Sequence, residues 1–242
     1  MISIIKRYAR YLISRGLSIG ILENDYGAIN VDLMLLQDLP KENCEVEMVI
    51  GGDYDCHRRR FKTKLIAMGM TGFDRVVIEP SGIYDVDEFF DVLYEEPLDR
   101  WYRAGNVIAV VDAAACREEF SEEAEYLLMT QVANAGIIVF SKVQEASEEE
   151  IEQTKGLINH VMAKFGCIRR FSDEFLIRDW EKLTDQDFER ISSAGYVSED
   201  HVKEMVDREN SFTTLFYMNT RRKKKSFQKP FPDCLMTKLW DM

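Results

Sequence analysis

The 242-residue sequence predicts an α/β fold, a mostly parallel sheet flanked by helices, and three observations carry that prediction. Short apolar runs alternate with longer segments of helical periodicity, which is the order of βαβ units. Arg75 to Glu79 and Val107 to Val111 are β-rich and apolar on both faces, as strands buried inside a parallel sheet are. Finally, FDRVVIEPSG (Phe73 to Gly82), VIAVVDA (Val107 to Ala113) and IIVFSKVQ (Ile137 to Gln144) succeed one another with the character of the later strands of such a sheet.

Taken in order, Ser3 to Arg15 reads as a helix, closed by Gly16 and leading into a strand over Ser18 to Glu23. Asn24 to Asp32, with Gly27 and several polar residues, resists regular structure and reads as a loop. Val46 to Ile50 suits a strand and His57 to Met70 a helix. After the strand Arg75 to Glu79, Val86 to Tyr94 is helical, with Phe89, Phe90 and Leu93 on one side. Ser121 to Ala135 forms a helix, Ile137 to Phe140 a strand, and Ser147 with Glu148 and Glu149 opens a helix reaching Phe165. Leu183 to Ser192 and Ser198 to Asp207 are further helix candidates, and Phe212 to Met218 a strand candidate. The organisation expected is a nucleotide-binding region over residues 1–170, a helical extension over 171–220, and a basic and aromatic tail over 221–242.

Composition narrows the function. With 43 acidic against 31 basic residues the net charge is −12, which disfavours a general nucleic-acid binder and suits a divalent cation or a metal-carrying partner. No apolar run approaches the roughly 20 residues of a membrane span, and no signal-peptide core is present at the N-terminus, so a cytoplasmic protein that binds no membrane is expected. Cys44, Cys56, Cys116, Cys167 and Cys234 are odd in number and form no C-x-x-C pair, so reduced thiols are expected rather than a disulfide framework.

Four segments carry candidate chemistry. In FDRVVIEPSG, Glu79 ends a strand where open parallel sheets bind ligands; its carboxylate suits Mg²⁺ or a bound water, and the Gly82 amide can approach a terminal phosphate. A strand-end Glu followed by an ordinary Pro-initiated turn gives the same pattern. In ENDYGAINVD, Asn24, Asp25 and Asp32 offer oxygen ligands on a loop suited to a nucleotide-responsive switch, or simply form a polar turn. In SKVQ, Lys142 can lay its aliphatic stem along a purine face and Gln144 can pair with a base edge, weakly; a polar strand end is the plain alternative. In GGDYDCHRRRF, Cys56 and His57 beside Asp53 and Asp55 gather ligands suited to Zn²⁺ or Ni²⁺, closed by water or by a symmetry-related copy; alternatively Asp55 caps a helix and Cys56 packs inward. His160 and His201 read as ordinary helix positions, and Trp101, Tyr102, Phe89 and Phe90 as core. No hydrolase triad or dinucleotide fingerprint is present.

The series ENDYG, a Cys-containing loop, FDRVVIEPSG, VIAVVDA, then Gln131 and Asn134 ahead of IIVFSKVQ resembles the CobW-like branch of P-loop GTPases, relatives of the UreG and HypB nickel-insertion proteins. The similarity covers about residues 3–170. The resemblance implies a P-loop-NTPase-like sheet and a metallochaperone that binds GTP and Mg²⁺, delivers a transition metal to a metalloenzyme client, and forms a homodimer. It also implies a switch at Asn24, Asp25 and Gly27, phosphate and Mg²⁺ contacts over Glu79, Ser81 and Gly82, base contacts by Ser141, Lys142 and Gln144, and metal ligation by Cys56 and His57.

The departures from that pattern matter equally. DYDCH stands where the family has C-x-C-C, and SKVQ where it has N-K-x-D. No G-x-x-x-x-G-K-[ST] occurs, and helix Ser3 to Arg15 comes almost directly after Met1, so an N-terminally truncated domain lacking its first strand and P-loop is expected. One preorganised donor at such a site is worth about 3 kcal/mol, so loss of the whole cradle predicts impaired hydrolysis and a gap or exposed edge in the sheet. The alternative expectation is a non-catalytic, degenerate member acting as a binding or scaffold protein.

Overall fold

The apolar alternation along the strands sets the architecture. The computed structural model describes residues 2–25, 36–50, 54–80 and 86–199. Its elements run α1 (Ile2–Ser14), β1 (Ile19–Asp25), β2 (Cys44–Ile50), α2 (Tyr54–Thr71), β3 (Arg75–Glu79), α3 (Val86–Leu93), α4 (Leu98–Trp101), β4 (Ile108–Asp112), α5 (Glu122–Ala133), β5 (Ile137–Ser141), α6 (Glu148–Lys164), β6 (Phe175–Leu176) and α7 (Asp185–Ser192). All pairings between these strands are parallel, and they form two three-stranded sheets, β2-β1-β3 and β4-β5-β6. The α/β class read from the sequence is the class found.

Successive strand residues face opposite sides, and each side has its own core. Ile19 and Ile21 of β1 join Val110 of β4 and Ile137 and Val139 of β5 in one cluster, against Ile4, Ile5, Tyr8 and Leu12 of α1 and Phe188 and Ile191 of α7. Helix α1 thus packs across both sheets. The opposite side of the second sheet, with Ala109, Val111, Ile138 and Phe140, packs against Leu128, Met129 and Val132 of α5 and Ile158, Val161 and Met162 of α6. On the first sheet Leu22, with the half-buried Val76 and Ile78, packs against Phe61, Leu65 and Met68 of α2.

Strand β5 has a partner on each side, and all five of its residues are buried. Strand β3 has a partner on one side, and its residues are exposed at Arg75 and half-buried from Val76 to Glu79. The expectation that Arg75 to Glu79 is covered on both faces is therefore corrected: among the described residues β3 and β4 are edge strands.

Local signals account for most boundaries. Gly16 closes α1 with φ +81°, where the Leu17 amide donates to Leu12 O at 3.2 Å and the Gly16 amide to Ile13 O at 2.9 Å; a left-handed residue satisfying the last carbonyls favours glycine. Gly136 is required by close approach instead, since a Cβ there would meet the carbonyl oxygens of Gly195 and Ala194 at 2.3 and 2.4 Å. Ser121 caps α5, and Thr184 with Asp187 forms a capping box on α7.

Ser147 and Glu150 form the same box on α6, where the Ser147 amide and hydroxyl donate to Glu150 at 2.8 and 3.0 Å. The bonds from Arg117, then those from Ser147, hold the Glu150 carboxyl at about 2, below its ordinary 4.5. Because the folded value is depressed, this contribution is complete above the ordinary value and is lost as pH falls toward the folded one. Replacing Glu150 with Gln is expected to flatten the acid limb of a stability-versus-pH curve between about pH 4.5 and 2; an unchanged limb in urea titrations would refute it.

Several boundaries differ from the reading of the sequence. Strand β1 continues through Asp25, because Val49 and Ile50 of β2 offer backbone partners to Asn24 and Asp25. Helix α2 begins at Tyr54, which places the Asp55 backbone inside the first turn rather than at the cap. The four-residue α4 and two-residue β6 are too short to give a periodic signal. Trp101 is 48% exposed rather than core, whereas Tyr102 packs beside α2 and donates to Leu65 O at 2.7 Å. Residues 198 and 199 are not helical. The rest of the expected helix to Asp207, the Phe212 to Met218 strand and the tail lie outside the described residues, as does His201. Among the described residues no helix is long and apolar enough to cross a membrane.

Candidate functional site at the carboxyl ends of the strands

Parallel pairing gathers the strand ends at one edge of each sheet. On the first sheet Ile21 and Leu22 lie opposite Val77 and Ile78, so Glu23 falls opposite Glu79. Glu23 is 2% exposed and Glu79 half-buried. On the second sheet the matched apolar runs of β4 and β5 put Asp112 opposite Ser141.

Asp112 organises the turns that leave β4 and β5. Its Oδ1 accepts from the Ala114 amide at 2.9 Å and its Oδ2 from Lys142 Nζ at 3.0 Å. Lys142 has φ 55° and ψ 30°, a left-handed conformation costing roughly 1–2 kcal/mol for an L-residue. The ion pair and the 2.8 Å bond from the Glu145 amide to Lys142 O hold it there. Gln144 then lies exposed in the 3₁₀ turn Val143–Glu145. Ser141 is 3% exposed, and its hydroxyl has no hydrogen-bond partner among the described residues.

Backbone and helix contacts fix both strand ends. The Ala113 amide donates to Ser141 O at 2.9 Å, and Trp180 Nε1 to Phe140 O at 2.8 Å. The fully buried Thr154 of α6 donates to Ala113 O at 3.0 Å and accepts from the Cys116 amide at 3.2 Å.

The sequence candidates divide accordingly. Ser141, Lys142 and Gln144 are contiguous at the end of β5, and Lys142 is anchored by Asp112. Glu79 stands at the edge of the other sheet, beside Glu23. The backbones of Asn24 and Asp25 end β1, correcting the loop assignment of those two residues. Gly27, Asp32, Ser81, Gly82 and Asp53 lie outside the described residues. The backbones of Asp55, Cys56 and His57 sit in the first turn of α2, and their side chains lie outside the described part of the chain.

Among the described residues no three His, Cys, Asp or Glu side chains gather in a metal-holding group. Cys44, Cys116 and Cys167 are free, and burial pushes the Cys44 thiol up to about 11, which keeps it from thiolate chemistry near neutral pH. His160 is exposed. Asp112 was missed as a site residue. Its signal was legible, an acid ending an apolar strand as Glu79 does, but its partner Lys142 comes 30 residues later.

Open parallel sheets with acidic and polar strand ends define an α/β domain of the class that binds ligands outside the carboxyl ends of its strands. Residues 4–168 match the family described as CobW/HypB/UreG, nucleotide-binding domain, and the chain belongs to that family. It is similar to the zinc chaperone YjiA of Escherichia coli (strain K12), 28% identical over 143 residues, which cover 56% of this chain and 43% of the relative. The chain thus spans less than half the length of that curated relative. Among solved structures it is similar to the Zn(II)-bound YjiA GTPase from E. coli, with a TM-score of 0.41 and 20% identity, covering 64% of this chain and 50% of that one.

Proposed function

We propose that this chain binds a purine nucleotide, GTP with Mg²⁺, at the carboxyl ends of its strands, and serves the delivery of a transition metal, zinc or nickel, to a protein client. The observation that carries the reading is the arrangement at β4 and β5: Asp112 holds Lys142 in a left-handed turn beside the buried Ser141 hydroxyl, which has no hydrogen-bond partner among the described residues. A buried hydroxyl without a partner costs about 1–3 kcal/mol, which a hydrogen-bonding ligand would return. The Lys142 stem and Gln144 would then face the base. Glu79, with Asn24, Asp25, Gly27, Asp32, Ser81 and Gly82, would face Mg²⁺ and phosphate. Similarity to a zinc chaperone supports cargo metal at Cys56 and His57, with Asp53 and Asp55.

The 242 residues contain no G-x-x-x-x-G-K-[ST], so hydrolysis by this chain alone is expected near background, since phosphoryl transfer depends on positioned phosphate donors. Calorimetry with GTP, ATP and Mg²⁺, together with phosphate-release assays, tests the reading. Micromolar GTP binding with background turnover is expected; absence of binding by either nucleotide would overturn it and leave a scaffold role. Zinc titration of Cys56→Ser beside the parent chain tests the cargo site, with weaker zinc binding by the variant as the expected result.

A further inference from the structure

Arg117 lies in the turn after β4, within the 3₁₀ segment Ala115–Arg117. Its Nε and Nη2 donate to Glu150 Oε1 and Oε2 at 2.6 and 2.8 Å, and Nη2 also donates to Glu145 O at 3.1 Å. One guanidinium therefore grips both the first turn of α6 and the last residue of the turn Val143–Glu145. That turn carries Gln144, and it has two other fastenings. Lys142 at its start is held by Asp112, and Ser147 beyond its end is held by Glu150. Asp112 and Arg117 are five residues apart on the same β4 connection, which also hangs from Thr154 through Ala113 and Cys116. The two loops at the end of the second sheet are thus tied together at separate points.

We propose that Arg117 is a positioning residue for base selection: by holding the Glu145 carbonyl and Glu150 together, it fixes the turn that presents Gln144. This rests on the nucleotide reading above. In this role Arg117 acts through the turn, by its bonds to Glu150 and Glu145 O, rather than on the nucleotide. Its planar fork serves a carboxylate and a carbonyl at once, whereas a lysine ammonium keeps the charge opposite Glu150 without that shape.

The test compares the full chain with Arg117→Ala and Arg117→Lys in two measurements. Hydrogen exchange reads the turn directly. The Glu145 and Ala146 amides, bonded to Lys142 O and Val143 O, are expected to exchange about tenfold faster in Arg117→Ala and by less in Arg117→Lys. The Ile138 amide, bonded to Glu174 O in the sheet, should be unchanged, which separates a local loosening from general destabilisation. Competition against a fluorescent nucleotide reads selection, where the ratio of GTP to ATP affinity should move toward one by about threefold or more in Arg117→Ala, about 0.65 kcal/mol. Unchanged exchange at Glu145 and Ala146 overturns the brace. Faster exchange with an unchanged affinity ratio overturns its role in selection. Failure of the parent chain to bind either nucleotide overturns the functional reading and the role in selection with it, while the exchange result still decides the brace.

Discussion

Replacing Phe140 with alanine is expected to remove about 3–5 kcal/mol of folding stability, the range for deleting a buried aromatic ring. Phe140 is completely buried in β5, the strand flanked on both sides in the second sheet. Its ring lies 5.5 Å from that of Phe175 in β6, and its carbonyl accepts from the Trp180 indole. The cavity would open where α5, α6 and the sheet meet, and the backbone cannot close over it without breaking pairing to β4 or β6. Domain stabilities are typically about 5–15 kcal/mol, so the variant would sit near its unfolding threshold. Urea unfolding followed by circular dichroism should show the midpoint falling with little change in slope. A loss below about 1 kcal/mol would mean that the second sheet is not packed as described. Phe140→Leu, which keeps an apolar side chain in the same space, should lose much less.

That core was legible in the sequence because it is local and periodic. Ile137 to Phe140 and Val107 to Val111 announce strands, and Ser121 and Ser147 announce helix starts that became N-caps. The features that escaped depend on contacts between distant segments. The two-residue β6 exists because the Ile138 amide reaches Glu174 O and the β5 backbone pairs on to Phe175 and Leu176. The half-exposure of β3 comes from its partners, which its own apolar composition cannot reveal. At the site, Ser141, Lys142 and Gln144 were found as one contiguous string. Asp112 and Arg117 act on that string from another connection, and only folding shows the carboxylate 3.0 Å from Lys142 Nζ or the guanidinium 3.1 Å from Glu145 O.

Under the nucleotide reading, replacing Gln144 with aspartate is expected to raise guanine affinity by about tenfold while leaving adenine affinity unchanged or weaker. A glutamine amide offers one neutral oxygen to a base edge, whereas a carboxylate accepts two N–H groups through charge-assisted bonds. Such bonds are worth about 1.5–3 kcal/mol, and about 1.4 kcal/mol is a tenfold change in affinity. The exposure of Gln144 puts the gain at the lower end. Adenine presents an acceptor where guanine presents a ring N–H, so the same carboxylate gives it no second bond. Crowding of the new charge with Glu145 and Glu150 is limited, because Glu150 is already paired with Arg117 and exposed like charges are screened at ordinary ionic strength. Gln144→Asn, neutral like the parent residue, should leave the preference unchanged and so separates charge from side-chain length. Titration of both variants with GTP and ATP decides the matter. If the two affinities rise together the carboxylate is not reading the base edge, and if neither moves in a chain that binds nucleotide, the turn Val143–Glu145 does not face the base.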